Sequence, residues 1–265
     1  MTQLEELERA FTCIPLLAGL GTADFNIGVM RGHTNHNFRL QDARRDWVVR
    51  IPKNATNAFI DRAAEAYNQR LASELGIAPL FLWRDSDGMS ITPTIAASHE
   101  VTRVEFESET VVRKIVAALR LLHGSDRRFQ GILDLRELIS RYYSMLPQAQ
   151  QTLFQPRLER AQAILDSLQE QGRGVVPSHN DLVLGNLLVA ENNLWLIDWE
   201  YSAMASPYWD LATICNSARL SETKSRQLLQ IYCEAAEPME ESTLFHYREL
   251  LQLLSDCWMS AFAAD

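Results

Sequence analysis

The stretch from Ser178 to Asp210, SHNDLVLGNLLVAENNLWLIDWEYSAMASPYWD, constrains this chain more than any other part of it. Two short apolar segments, Asn186–Ala190 and Leu194–Asp198, flank the polar triplet Glu191-Asn192-Asn193. That pattern predicts a β-hairpin closed by a polar, Asn-containing turn. A hairpin brings its exit back to its entry, so Asn186 and Asp198 are expected at the same edge. Asp181 lies in the loop just before. Three oxygen-bearing side chains should therefore converge: Asn186 and Asp198 placed to hold a hard cation, and Asp181 placed to accept a proton.

The sequence before this stretch divides in two. Residues 3–17 carry Leu4, Leu7, Phe11 and Ile14 on one helical stripe. The run Gly32-His33-Thr34-Asn35 is a tight polar turn that can offer backbone N–H groups and a hydroxyl to a phosphate, and a strand containing Phe38 and Leu40 follows it. Trp47–Ile51 alternates as a strand and carries Arg50; Pro52 ends it. Ile60–Gly76 reads as a helix with the stripe Ile60, Ala64, Tyr67, Leu71 and Leu75, bordered by Glu65. Leu80–Arg84 and Met89–Pro93 flank Asp85-Ser86-Asp87-Gly88, a strong turn signal. Each of these has an ordinary reading by itself: a plain hairpin turn, an arginine snorkelling to the surface, a solvated helix glutamate.

From there on the pattern is mostly helical. Helices are expected at 109–123, from the Asp134-x-x-Glu137 cap to Met145, from Pro156 to Gln171, near 222–235 and at 241–264. The expected fold class is thus α+β. A small antiparallel sheet with one helix occupies residues 1–96, and a larger, mainly helical lobe with the embedded hairpin occupies 97–265.

Composition excludes several classes. The net charge of −9, from 25 basic and 34 acidic residues, argues against a nucleic-acid partner. The apolar helical stretch near the end is broken by His246, Arg248, Glu249 and Asp256, so no membrane span is expected. Cys13, Cys215, Cys233 and Cys257 form no zinc spacing and read as reduced thiols. MTQLEELERAF lacks a cationic start followed by an apolar core, so no signal peptide is expected and the location expected is cytoplasmic. The expected partner is a small-molecule substrate.

Phosphoryl transfer from a nucleotide needs a metal on the β/γ-phosphates, a cation and an acceptor-orienting base. Arg50 supplies the cation and Glu65 a partner to hold it. His179-x-Asp181-x4-Asn186 then has the spacing of the protein-kinase catalytic loop, and Ile197-Asp198-Trp199-Glu200 stands where kinases carry their metal-binding Asp. Trp-Glu in place of the protein-kinase Phe-Gly resembles the small-molecule branch of that fold. Gly32–Phe38, Val49-Arg50-Ile51-Pro52, Leu196–Ser202 and Trp209-Asp210-Leu211-Ala212 are most similar to choline/ethanolamine kinase-like members of the aminoglycoside phosphotransferase superfamily.

That resemblance implies a two-lobed protein kinase-like fold and an ATP- and Mg²⁺-dependent phosphotransferase. Asp181 would be the catalytic base, Asn186 and Asp198 the metal ligands, and Arg50 the phosphate-contacting cation with Glu65 behind it. Gly32, Thr34 and Asn35 would line the phosphate turn. His179 and Asp210 would be scaffold. The acceptor implied is a small cationic alcohol, choline or ethanolamine, with thiamine and aminoglycosides as rivals and an inactive nucleotide-binding module as the reading from another class. Among the aromatics, Tyr201, Tyr208, Trp209 and Trp258 could face a quaternary ammonium. Glu200, Tyr201 and Trp258 are the preferred substrate candidates.

Overall fold

The computed structural model describes residues 2–30, 32, 34–53, 60–170, 174–191, 193–234 and 238–262. The first lobe is built on a five-stranded sheet, β1 (Asn26–Met30), β2 (Asn35–Gln41), β3 (Asp46–Pro52), β4 (Trp83–Arg84) and β5 (Ser90–Pro93), in the order β1-β2-β3-β5-β4. Every pairing is antiparallel, and β2 meets β3 with Asn37 opposite Arg50. Helix α1 (Gln3–Cys13) lies on the sheet and buries Leu7, Ala10 and Phe11 against Phe38, Leu40, Val49 and Ile91. Its N-terminus is closed by the Thr2/Glu5 capping box. The helix expected over 3–17 stops at Cys13, because Pro15 starts a separate 3₁₀ turn, Pro15–Leu17.

Helix α2 (Arg62–Glu74) departs from its sequence pattern. The apolar stripe predicted there puts Tyr67 and Leu75 inward, yet both are only half-buried. The buried face carries Arg62, Glu65, Asn68 and Gln69 beside Ala64, Leu71 and Ala72. A face of that kind is stable only when each polar group finds a partner, and those partners come from other elements.

Ser98–Glu100, just after the expected boundary between the lobes, forms strand β6 and pairs with β8 (Leu187–Ala190), which pairs in turn with β9 (Asn193–Leu196). The predicted hairpin is therefore the core of a three-stranded sheet. Its register sets Leu187 opposite Leu196 and Ala190 opposite Asn193, with Glu191 in the left-handed region at φ 42°; Asn192, the other turn residue, lies outside the described residues. Strands β7 (Val176–Ser178) and β10 (Ala203–Ala205) pair beside it.

Around these strands pack α3 (Glu109–His123), α4 (Leu135–Ser144), α5 (Gln148–Glu170), α6 (Pro207–Ser217), α7 (Glu222–Cys233) and α8 (Glu241–Phe262). Two differences from the sequence reading stand out. Pro156 lies inside α5 rather than opening it; the helix already begins at Gln148, after Pro147, and Pro156 leaves the Thr152 carbonyl without its helical donor. Helix α6 has no amphipathic period because Tyr208 through Cys215 are all buried, so its hydrophobicity runs all round. Pro207 at its first position is the signal that marks it. The described ends of α5, α7 and α8 fall within a few residues of those expected; 171, 235 and 263–264 lie outside the described residues. No helix among the described residues is long and apolar enough to cross a membrane.

Candidate active site

The hairpin does what its pattern predicts. The Ile197 amide donates to the Asn186 carbonyl at 3.1 Å, so the chain leaving β9 returns beside the chain entering β8. Asn186 Nδ2 donates to the Asp181 carbonyl at 2.8 Å and to Asp181 Oδ2 at 3.1 Å. That bond fixes the carboxylate and turns the Asn186 amide oxygen away from it. The backbone at Asp198 is left-handed, φ 65°, as is that at Asn180, φ 67°. Such conformations in non-glycine residues need support from their surroundings, and both loops are heavily braced.

Asp210 and His179 supply the bracing. Asp210 is fully buried and accepts from the backbone amides of His179 and Asn180 at 2.9 and 2.8 Å and from His123 Nε2 at 3.0 Å. Burial acts to raise its pKa, but the His123 bond and the amides outweigh it and hold the carboxylate below its usual range. His179 is also fully buried, and burial pushes its imidazole down to about 4. It is therefore neutral: Nε2 donates to the Ile197 carbonyl at 2.9 Å and Nδ1 accepts from the Asp181 amide at 3.3 Å. One ring ties the Asp181 loop to the Asp198 loop and packs at a 53° tilt against the buried Trp199, 4.5 Å between centroids. Asn180 adds a bond from its side chain to the Tyr201 carbonyl, and Trp209 Nε1 donates to the Asn180 carbonyl.

Across the cleft, Arg50 on β3 donates to Asp198 Oδ1 at 3.0 Å through Nη1 and to Glu65 through Nη2. Burial opposes the Arg50 charge, but Glu65 and Asp198 hold its pKa above the ordinary value. Glu65 is held in turn by Arg62 and Arg84, each at 2.9 Å from Oε2. Arg62 reaches on to Glu200 Oε2 at 3.3 Å, where Asn35 Nδ2 also donates at 3.2 Å. Asn68 Nδ2 donates to the Ser202 carbonyl at 2.9 Å. The polar face of α2 thus finds its partners in β3, β4 and the segment after Asp198.

The candidate residues sort accordingly. Asp181, Asn186, Asp198, Arg50 and Glu65 are brought together. Gly32 lies at the β1–β2 turn, its carbonyl accepting from Lys53 Nζ at 3.1 Å, and a Cβ there would fall 2.3 Å from the Asn35 carbonyl oxygen. Thr34 lies beside it and accepts from Asn35 Nδ2; His33 lies outside the described residues. Asn35 is 2% exposed and its amide is committed to Glu200 and Thr34, so its side chain is turned inward. Glu200 is likewise buried under Arg62 and Asn35, which places its charge, not its surface, at the site. Tyr208 and Trp209 are core aromatics around Tyr247. Tyr201 is half-buried; burial and then Glu200 raise its pKa. Trp258 is half-buried on α8. Sequence reading missed Arg62, Arg84, Asn68 and Tyr142. Tyr142, on α4, has its pKa raised by burial and feels the charges of Asp181 and Glu200, so it lies near Asp181. Arg62 alone carried a signal, three residues before Glu65 on a helix.

The donor set suits a hard divalent cation. Asn186 and Asp198 offer uncharged and charged oxygen. The carboxylates of Glu65, Asp198 and Glu200 lie within 4.8 Å of one another, but Glu65 and Glu200 are claimed by arginines, with side chains 0% and 1% exposed. Asp198 is 29% exposed, the one of the three open to a ligand. Burial and Glu200 push its pKa up to about 7, and they push Asp181 up to about 6. Crowded acids of this kind favour a cation between them.

Comparison with known proteins agrees with this geometry. Residues 28–251 match the model of the phosphotransferase enzyme family. Protein LicA of Haemophilus influenzae is 29% identical over 207 residues, which cover 76% of this chain; the match spans 61% of that relative's length. The crystal structure of a choline/ethanolamine kinase family protein from Mesorhizobium loti superposes with a TM-score of 0.83 at 25% identity, covering 100% of this chain and 89% of the other. Choline kinase LicA from Streptococcus pneumoniae shares the fold with a TM-score of 0.84 at 21% identity, over 98% of this chain and 91% of that one. With its two-lobed, protein kinase-like fold and the catalytic loop, hairpin and arginine strand all in place, the chain belongs to the phosphotransferase enzyme family.

Proposed function

We propose that the protein is an ATP- and Mg²⁺-dependent kinase that phosphorylates the hydroxyl of a small cationic alcohol, choline or ethanolamine. The observation that carries this reading is the Asp181 carboxylate, fixed by Asn186 beside an Asp198–Arg50–Glu65 chain that joins the lobes. In this reading residues 1–96 hold the nucleotide, with the backbone at Gly32 and Thr34 over its phosphates, and residues 97–265 hold the base and the acceptor.

Asp181 orients the acceptor hydroxyl and takes its proton as the oxygen attacks the γ-phosphorus. The new O–P bond forms as the bond from the γ-phosphorus to the bridging oxygen breaks, and ADP leaves. A carboxylate raised to about 6 is ionised at neutral pH and is a better base than an ordinary aspartate. Arg50 stabilises charge on the phosphate oxygens while Glu65 keeps its guanidinium in place. Asn186 and Asp198 would hold Mg²⁺, which supplies neutralisation of the β- and γ-phosphate charge.

The cationic acceptor is favoured by the acids Asp181, Asp198 and Glu200 beside the phenols of Tyr201 and Tyr142. Aromatic faces attract quaternary ammonium, most strongly where water is excluded. Trp258 is proposed as a further wall. The names of the relatives support the same acceptor class, and four free thiols fit a reducing, cytoplasmic setting.

The test is ADP release with choline, ethanolamine, thiamine and aminoglycosides, run on wild type and Asp181→Asn. Turnover with choline or ethanolamine, and loss by a factor of about 10²–10⁴ in Asp181→Asn with nucleotide binding retained, is the expected result. Turnover with thiamine alone would replace the acceptor. No turnover with any alcohol, and nucleotide binding unchanged in Asp181→Ala, would leave a binding module.

A further inference from the structure

Arg62 takes no part in the family-like roles described above, yet it bonds Glu65 on its own helix, Glu200 after Asp198 and Arg84 on β4. It sits in the first turn of α2 with its side chain 6% exposed. Its Nη1 donates both to Glu65 Oε2 at 2.9 Å and to Glu200 Oε2 at 3.3 Å, so one nitrogen bridges a first-lobe acid and a second-lobe acid. Its own carbonyl accepts from Arg84 Nη2 at 2.6 Å, and that nitrogen also reaches Glu65. Glu200 lies two residues after Asp198 on the same short loop.

The β4–β5 turn is shaped to admit this side chain. Gly88 is buried with φ 93°, and a Cβ there would stand 2.7 Å from both Cδ and Nε of Arg62. Any other residue would be strained by its backbone and would press on the guanidinium stem. The Asp85–Gly88 turn signal therefore has a second meaning besides closing a hairpin.

We infer that Arg62 is a positioning residue: through Glu200 it fixes the loop that presents Asp198, and Gly88 is required to let it do so. The inference rests on the reading of Asn186 and Asp198 as metal ligands. Arg50 holds Asp198 directly from β3, and Arg62 holds the same loop two residues later from α2. With both in place the loop is held at two points from the first lobe, at Asp198 and at Glu200. Without Arg62, Glu200 loses the guanidinium bonded to it and is left with the Asn35 amide and the Arg50 charge, and a buried charge so weakened in its pairing drives its loop to shift.

The experiment measures binding of a non-hydrolysable ATP analogue by calorimetry at a series of Mg²⁺ concentrations, with no acceptor alcohol present. The variants are Arg62→Met, Arg62→Lys, Glu200→Gln, the Arg62→Met/Glu200→Gln pair and Gly88→Ala, with thermal unfolding recorded for each. Arg62→Met should raise the half-saturating Mg²⁺ concentration by about 10-fold or more, as loss of a group behind a metal ligand does, with metal-free nucleotide affinity nearly unchanged. Arg62→Lys should recover part of the loss. Gly88→Ala should shift the Mg²⁺ requirement in the same direction by less. The double variant should be no worse than the worse single, because each single already removes the Arg62–Glu200 ion pair. Equal loss of affinity with and without Mg²⁺, or multiplying effects in the double variant, overturns the inference. Should Arg62→Met not fold, an unchanged Mg²⁺ requirement in Glu200→Gln overturns it equally. A wild type that binds no Mg²⁺-nucleotide overturns the kinase reading as well, whereas variants identical to a binding-competent wild type overturn this one alone.

Discussion

Asp210 and Glu65 are both buried carboxylates at the heart of the cleft, and the groups around them are of different kinds. Asp210 accepts from two backbone amides and an imidazole, all within the second lobe. Its partners cannot leave without unfolding the catalytic loop. Glu65 is surrounded by three guanidinium groups, from β3, β4 and α2, and two of these reach on to Asp198 and Glu200. Its partners are long side chains that join elements of both lobes. The first arrangement holds the shape of one loop; the second sets how one lobe meets the other. A phosphotransferase needs both, since the base must be rigid while the phosphate-facing groups come from two sides.

The comparison can be broken by four measurements. Asp210→Ala strands three buried donors and should cost about 3–5 kcal/mol, read as a lower denaturant midpoint. If stability is kept and only turnover falls, Asp210 is not the structural brace described. The pH dependence of stability comes next. His179 has its pKa lowered to about 4, so between pH 6.5 and 4 the unfolded chain binds a proton that the folded chain does not. The His179 contribution is then full above 6.5 and lost as pH falls, by roughly 3 kcal/mol across that window, whereas Asp181 and Asp198, raised to about 6 and about 7, favour the folded chain as pH falls through the same range. A His179→Gln variant should therefore gain stability relative to wild type as pH falls through that window; a difference that does not change with pH would assign the effect to other groups.

Glu65→Gln should cost less, about 2 kcal/mol, because Asp198 and Glu200 still balance two of the three guanidinium groups. Its larger effect should be on nucleotide affinity, measured by calorimetry. A Glu65→Gln protein as unstable as Asp210→Ala would erase the distinction between the two carboxylates. The smallest effect is expected at the exposed pair of Arg113 and Glu234, 2.7 Å apart. Arg113→Ala should leave the denaturation midpoint where it is, since exposed ion pairs are matched by water. A clear drop would mean that α3 and the end of α7 are held by charge as well as by packing.

Helices α1 and α2 show how far the sequence could be read. For α1 the stripe Leu7, Phe11 and Ile14 described the buried side directly, because that side is apolar and its partner is a sheet, while Leu4, read on the same stripe, is exposed. For α2 the same rule found Ala64 and Leu71 but not the polar part of the buried face. Arg62, Glu65, Asn68 and Gln69 look like solvated residues until their partners arrive from Arg50, Arg84, Glu200 and Ser202. Helix α6 failed for the opposite reason: it is buried on all sides and has no stripe to read.

What the sequence determined by itself was local and periodic. The hairpin and its turn, the His179-Asp181-Asn186 spacing and the alternation around Arg50 fix which side chains share an edge, since strand and turn geometry depend on neighbours in the chain. What only the tertiary structure decided was the pairing of charges between distant segments. Whether Glu200 faces a ligand or an arginine, whether Asn35 lines a phosphate or an interior, and why residue 88 is glycine all depend on which groups meet after both cores have packed. Buried charges carry no periodicity of their own; their positions are chosen by the partners that offset the cost of leaving water.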